Sequence, residues 1–271
     1  MKFKNVISPA FLFFTLSMLN AFGQGATVAP SRLFFSASPG SSETQVLRVT
    51  NSTSSKQAYT ITFADFEPEG NKGKTRMMQH GESVHSLNNN ITATPNFFEL
   101  GPGETQEINI AVTLANVPEA NQVKWGSVVV RLAKERQPGE EGNQMGFGIM
   151  ETFQLVVYIF QTPPAVNLKR AEITGFAKQT NNKGEKGILM TVDNTGEAIL
   201  NCASYIELTS YSTGTVERIG VKAFTMLPDS EREVFFALPD TLNAGSYSAL
   251  GVVDFGSREE IEAAELELTV E

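Results

Sequence analysis

The chain has 271 residues, a formal net charge of −9 and 41% hydrophobic residues. That acidity argues against nucleic acid and anionic membrane surfaces as partners, because both select basic patches. Its one cysteine, Cys202, excludes an intramolecular disulfide, so stability has to come from apolar packing.

Residues 1–23 read as a secretory signal peptide. Lys2 and Lys4 give the positive start, and Ala10 to Leu19 carry a short apolar core. Ala21-Phe22-Gly23 then places small residues three and one before a cut ahead of Gln24. The apolar stretch is too short for a comfortable membrane span, and no second candidate follows. The expected product is an exported, soluble chain of about 250 residues, enough for two domains with cores of their own.

Beyond the signal peptide, helical periodicity is nearly absent. Short alternating segments rich in Val, Ile, Thr, Phe and Tyr lie between clusters of Gly, Pro, Asn and Ser, the pattern of β-sandwiches. Three signals recur in the same order. L-R-V-T-N-S (47–52) is echoed by L-M-T-V-D-N-T (189–195), each a strand ending in an Asn turn. L-G-P-G-E-T-Q-E-I (100–108) is echoed by L-P-D-S-E-R-E-V (227–234), a Pro-containing turn launching a strand. W-G-S-V-V-V-R-L (125–132) is echoed by G-S-Y-S-A-L-G-V-V-D-F (245–255), a Gly-led strand. Matched order implies two tandem copies of one strand plan.

Between the first two signals lies a polar excursion, Glu67 to Asn90, expected as a hairpin tip or mobile surface loop. A second polar loop (135–144) leads into the run Met145 to Phe160. The odd positions of that run are apolar except Glu151, and its even positions, Gly146, Gly148, Met150, Thr152 and Gln154, turn consistently apolar only from Val156. Side chains alternate between faces of a strand, so the run reads as one strand of roughly 50 Å at about 3.3 Å per residue. Strands of this kind near a sheet edge are aggregation hazards, and one left unblunted is suited to pairing with a foreign strand. Thr162-Pro163-Pro164 stops it, because two prolines remove two donors and fix two φ angles. Domain 1 is therefore expected at 24–163 and domain 2 at 165–271. Strands are expected in domain 2 around 188–192, 205–209, 216–221, 234–238, 247–255 and 266–270.

Chemistry-bearing motifs are weak throughout. His80 and His85 share one polar loop without cysteines or a nearby carboxylate cluster, whereas a zinc site needs three or four convergent ligands. D-F-E-P-E-G (65–70) starts like a calcium loop, but Pro68 intrudes and Arg76 stands where the closing Glu belongs. G-F-G-I-M-E (146–151) lacks the third glycine and following helix of a dinucleotide site, and no G-x-S-x-G occurs. No enzyme, metal or cofactor is expected. Trp125 and Cys202 read as core residues, the latter as a small hydrophobe.

In motif order the mature chain resembles the periplasmic, usher-type pilus-assembly chaperones, which consist of two immunoglobulin-like domains set at an angle. V-A-P-S-R-L-F-F (28–35) looks like that family's first strand and V-T-N-S (49–52) like its second strand and turn. I-T-A-T-P-N-F-F-E-L-G-P-G-E-T-Q (91–106), V-V-V-R-L (128–132), the polar loop and the long strand ending in proline follow in its order. The resemblance implies an all-β fold of two tandem immunoglobulin-like β-sandwich domains. It also implies a periplasmic location and, as partners, an exported pilin-like or surface subunit and an outer-membrane usher. Arg32 would anchor the client's terminal carboxylate, a task suited to a guanidinium fork. Met145, Phe147, Ile149 and Phe153 would be the side chains donated to the client's unfinished sandwich. Two departures stand out. The family pairs its arginine with a lysine on the long strand, and Tyr158 occupies that place here, while Glu151 interrupts the apolar stripe. Tyr158 in the lysine's place, and the weak match of domain 2, favour the alternative of a cell-envelope adhesion or scaffold module of two immunoglobulin-like domains without chaperone activity.

Overall fold

The computed structural model describes residues 25–133 and 154–270. The first sandwich contains β1 (Ala26–Ala29), β2 (Arg32–Phe35), β3 (Ser42–Asn51), β4 (Gln57–Glu69) and β5 (Lys74–Met78). It continues with β6 (Ile91–Thr94), β7 (Phe97–Leu100), β8 (Thr105–Thr113), β9 (Lys124–Leu132) and β10 (Gln154–Gln161). One sheet runs β1-β3-β8-β6, and the other runs β2-β10-β9-β4-β5 with β7 added to β4. Period-2 burial builds the core between them. Leu47 and Val49 of β3 and Ile108, Ile110 and Val112 of β8 face Val128 and Val130 of β9 and Val157 and Ile159 of β10.

The second sandwich pairs a sheet of β11 (Ala171–Thr180), β12 (Lys186–Asn194) and β15 (Glu231–Ala237) with another of β13 (Leu200–Ser210), β14 (Val216–Met226), β16 (Gly245–Asp254) and β17 (Glu262–Val270). Their orders are β11-β12-β15 and β14-β13-β16-β17. These match β1-β3-β8 and β5-β4-β9-β10 strand for strand, so both sandwiches follow one immunoglobulin-like plan. The expected fold class, two tandem immunoglobulin-like β-sandwiches, is what the chain adopts.

The repeat extends to single atoms. Asn51 ends β3 and Asn194 ends β12, and both are buried. Asn51 Oδ1 accepts the Thr53 N–H at 2.9 Å and Asn194 Oδ1 accepts the Gly196 N–H at 3.0 Å. Each backbone N–H crosses to the turn before the opposing strand, Asn51 to Glu104 O and Asn194 to Ser230 O, both at 3.0 Å. Each asparagine thus closes its own turn and ties it to the next one, the capacity of an Asx side chain that a plain strand end lacks.

Three sequence expectations need amendment. The segment 28–35 is two strands rather than one. β1 pairs antiparallel with β3, while β2 pairs parallel with β10 in the opposite sheet. Pro30 lies between them, and its missing N–H prevents either ladder from continuing through it. The excursion 67–90 is a hairpin, as expected, but not a free loop. Its second half wraps the buried Asp65 carboxylate, which accepts the Gly81 N–H (2.9 Å), the Ser83 N–H (3.0 Å) and the Ser86 hydroxyl (2.8 Å) and faces His80. A buried carboxylate demands such donors, and this polar segment supplies them. Domain 2 also contains a strand before those expected, β11.

The two sandwiches meet through an apolar cluster of Phe66, Trp125, Phe160, Ile199 and Leu227. Trp125 is buried in it, donates its indole N–H to Phe66 O at 2.9 Å and stacks on His85 at 3.8 Å. Cys202 is a buried core residue of the second sandwich, and burial pushes its thiol up to about 12.

Candidate binding edge and interdomain cleft

β10 divides its labour by parity. Odd residues Leu155, Val157 and Ile159 pack into the first sandwich, while even residues Tyr158 and Phe160 join the contact with the second. Gln161 ends the strand fully buried, with its amide bonded both ways to Ala37, at 2.8 Å and 3.2 Å.

The flanks of β10 differ as well. β9 covers one flank along the whole strand, Gln154↔Arg131 to Gln161↔Lys124. β2 covers the other only from Tyr158↔Arg32 to Gln161↔Phe35. The Tyr158 N–H reaches Ser31 O at 3.1 Å and the Thr162 N–H reaches Phe35 O at 3.0 Å, so even-numbered amides point to the β2 side. By the same alternation, the main-chain N–H and C=O groups of Gln154 and Val156 point to that side too. Among the described residues no strand pairs with them there, since β1 has turned to β3. Residues 154–157 thus form a half-open edge leading into a cleft.

The cleft is lined from both sandwiches and holds a half-open cavity of about 100 Å³. Arg32 projects from the exposed face of β2, on the residue paired with Tyr158. Tyr158 lies edge-on to Phe66, with centroids 4.9 Å apart, and its hydroxyl is 3.0 Å from Thr75 Oγ1. Phe34 stacks on Phe160 at 5.1 Å. From the second sandwich comes Arg232, half-buried beside Phe224, with Nη2 at 3.5 Å from Thr225 O. Burial, and then the charge of Arg32, hold the Arg232 guanidinium below its ordinary range. Lys74, at the start of β5, is the third cation on the cavity wall.

Of the residues singled out by sequence, Arg32 and Tyr158 therefore share the cleft. Met145, Phe147, Ile149, Glu151 and Phe153 lie outside the described residues. Arg232, Lys74 and Thr75 were not singled out. Arg232 sits in S-E-R-E-V, where a charge between two charges looks solvated, and Lys74 and Thr75 follow a polar turn. Only pairing across the chain brings them to Arg32.

No family model and no curated protein matches this sequence. Several solved structures do. The chain is similar to one described as a chaperone–tip adhesin complex of CFA/I fimbriae biogenesis (TM-score 0.46, 14% identity, 90% of this chain and 98% of that one). It is similar to the Escherichia coli chaperone DraB (TM-score 0.42, 16% identity, 89% and 98%). It is also similar to a CsuC–CsuE chaperone–tip adhesion subunit complex from Acinetobacter baumannii (TM-score 0.44, 12% identity, 89% and 97%). Independently of these likenesses, the order of strands within each sheet makes the chain a tandem pair of immunoglobulin-like sandwiches.

Proposed function

We propose that this is a non-enzymatic, periplasmic, chaperone-like protein that holds an exported pilin-like or surface subunit by strand addition to β10. The observation that carries the proposal is the uncovered flank at Gln154 and Val156, where main-chain donors and acceptors face no strand among the described residues. An added strand would satisfy them while its alternate side chains select the partner. Met145, Phe147, Ile149 and Phe153 would be the side chains offered to the client, a reading supported by their sharing in sequence the odd parity of Leu155, Val157 and Ile159. Arg32 would anchor the client's chain end, a role supported by its pairing with Tyr158 at the inner end of this edge.

Val156→Pro tests the reading. Proline removes only the N–H aimed at the open flank and leaves the β9 ladder its donors. Mature wild-type protein is incubated with envelope extract and its partner identified. Val156→Pro should then lose that partner while Val156→Ala keeps it, with unchanged melting for both. Retention by the proline variant would sink strand addition at this edge.

A second reading, an envelope adhesion or scaffold module, is favoured by Tyr158, whose hydroxyl is engaged by Thr75 where a chaperone of this kind would place a lysine. A neighbouring usher or pilin gene supports the first reading, and surface-anchored neighbours without an usher support the second.

A further inference from the structure

We propose that Arg232, from the second sandwich, joins Arg32 across the cleft in one site for the terminal carboxylate of a bound peptide chain. The proposal rests on the strand-addition reading for the chain that delivers the carboxylate. It assigns the second cation of the site to the opposite domain.

Charge is the first ground. In a protein of net charge −9, the cavity wall carries Arg32, Lys74 and Arg232 against a single carboxylate, Glu231. That carboxylate is already engaged, since Asn71 Nδ2 donates to Glu231 Oε1 at 2.7 Å. Among the described residues neither arginine forms an ion pair. Arg232 is half-buried, and a cation removed from water beside a like charge requires an anion to compensate it. The lowering of its protonation range by burial and by Arg32 is consistent with that unmet requirement.

Construction is the second ground. The tip of the β4–β5 hairpin reaches from the first sandwich onto β15. Asn71 O accepts the Glu233 N–H at 2.8 Å, and Asn71 Nδ2 donates to Glu233 Oε1 at 3.1 Å. Arg232, between these two glutamates, lies against Gly73 so closely that a Cβ there would stand 1.2 Å from Nη1. The hairpin therefore sets the guanidinium in place. Two guanidinium forks suit a planar carboxylate held bidentately, and the rings of Phe66, Tyr158 and Phe160 give an apolar wall for the last side chain of a peptide.

The test is calorimetric titration of the mature protein with an alternating Val/Thr undecapeptide, its C-terminal amide, and inorganic phosphate. Wild type should bind the acid at least about tenfold tighter than the amide, as a charge-assisted anchor implies. Arg232→Gln should lose most of that ratio and Arg232→Lys should keep part of it, with melting followed to confirm folding. Val156→Pro should weaken both peptides alike and leave the ratio intact. An unchanged ratio in folded Arg232→Gln, or equal binding of acid and amide by wild type, overturns the assignment while a Val156→Pro loss keeps strand addition standing. A ratio that falls with Arg232→Gln while Val156→Pro binds normally upholds the carboxylate site and sinks strand addition. Neither peptide binding overturns both. Phosphate displacing the acid peptide, with the same dependence on Arg232, would mark a general anion site and overturn the assignment to a chain end.

Discussion

Because β10 serves the first sandwich with its odd residues and the interdomain contact with its even ones, neighbouring substitutions should fail in different ways. Ile159→Ala removes a fully buried side chain from the first core and should cost about 2–5 kcal/mol. In a domain of this size that lowers the melting point by roughly 4–20 °C, since 1 kcal/mol shifts it about 2–4 °C. Phe160→Ala removes a ring stacked on Phe34 at 5.1 Å and edge-on to Phe66 at 6.1 Å. Those two aromatic pairs contribute about 0.5–1.5 kcal/mol each beyond burial, within a total near 3–5 kcal/mol for a large core ring. That loss falls on the contact between sandwiches. Trp125 belongs to the same contact and is the only tryptophan, so its emission reports on it. Phe160→Ala should shift the emission to the red at 25 °C with far-UV circular dichroism intact, whereas Ile159→Ala should keep native emission until it melts. Native emission from folded Phe160→Ala, or a red shift from folded Ile159→Ala, would refute the division of the strand by parity.

The asparagine pair should rank by the bonds each makes. Asn51 Nδ2 serves the carbonyls of Ser55, Leu100 and Gly101 at 2.8, 3.0 and 3.1 Å, while Asn194 Nδ2 serves only Ala198 at 3.0 Å. Asn51→Ala should cost about 3 kcal/mol and Asn194→Ala about 1–2 kcal/mol in denaturant unfolding, because buried carbonyls lose their donor. Gly73 holds φ at +74°, so Gly73→Ala should cost about 1–2 kcal/mol by chemical denaturation and, by displacing Arg232, reproduce the lost acid-over-amide preference with every charge retained. The Cys202 thiol, raised from 9.0 to about 12 in the fold, should resist iodoacetamide at pH 8 except at the rate of unfolding. The sign follows from linkage. The folded state keeps the proton that the unfolded chain gives up, so this contribution is whole below pH 9 and is lost as pH rises towards 12, readable as a falling melting point.

The sandwiches were legible because their cores write period-2 alternation and their turns use Asn, Pro and Gly, and the three repeated signals fall on β3/β12, the turns into β8/β15, and β9/β16. What escaped notice follows from the same physics. Glu67 to Glu69 at the end of β4 and Lys74 to Arg76 at the start of β5 are polar because the hairpin tip binds β15 through Asn71 rather than entering a core. The division of 28–35 between two sheets is written only as a switch of buried parity, from even at Ala26 and Val28 to odd at Leu33 and Phe35, too short a signal on either side of Pro30 to read as two strands. Arg32 could be singled out by its place in a motif, but Arg232 could not, since 200 residues separate them and local sequence records no proximity of that kind.

Register sets Tyr158, not a second cation, directly beside Arg32 on the parallel strands β10 and β2. Tyr158 packs against Phe66 and bonds Thr75, and the second cation reaches the cleft from β15. If the cation matters and its origin does not, transferring it should restore the site. Tyr158→Lys combined with Arg232→Gln should regain much of the acid-over-amide preference that Arg232→Gln alone loses. Giving up the Thr75 bond and the ring contact would lower stability by about 1–2 kcal/mol. Recovery in peptide titration would show that the site needs two positive charges at this place in the cleft, whichever sandwich supplies the second. No recovery, in a double variant that melts within a few degrees of Arg232→Gln, would mean that Arg232 acts through its clasp by the β4–β5 hairpin, so that the angle between the sandwiches, rather than charge, is what the bound chain reads.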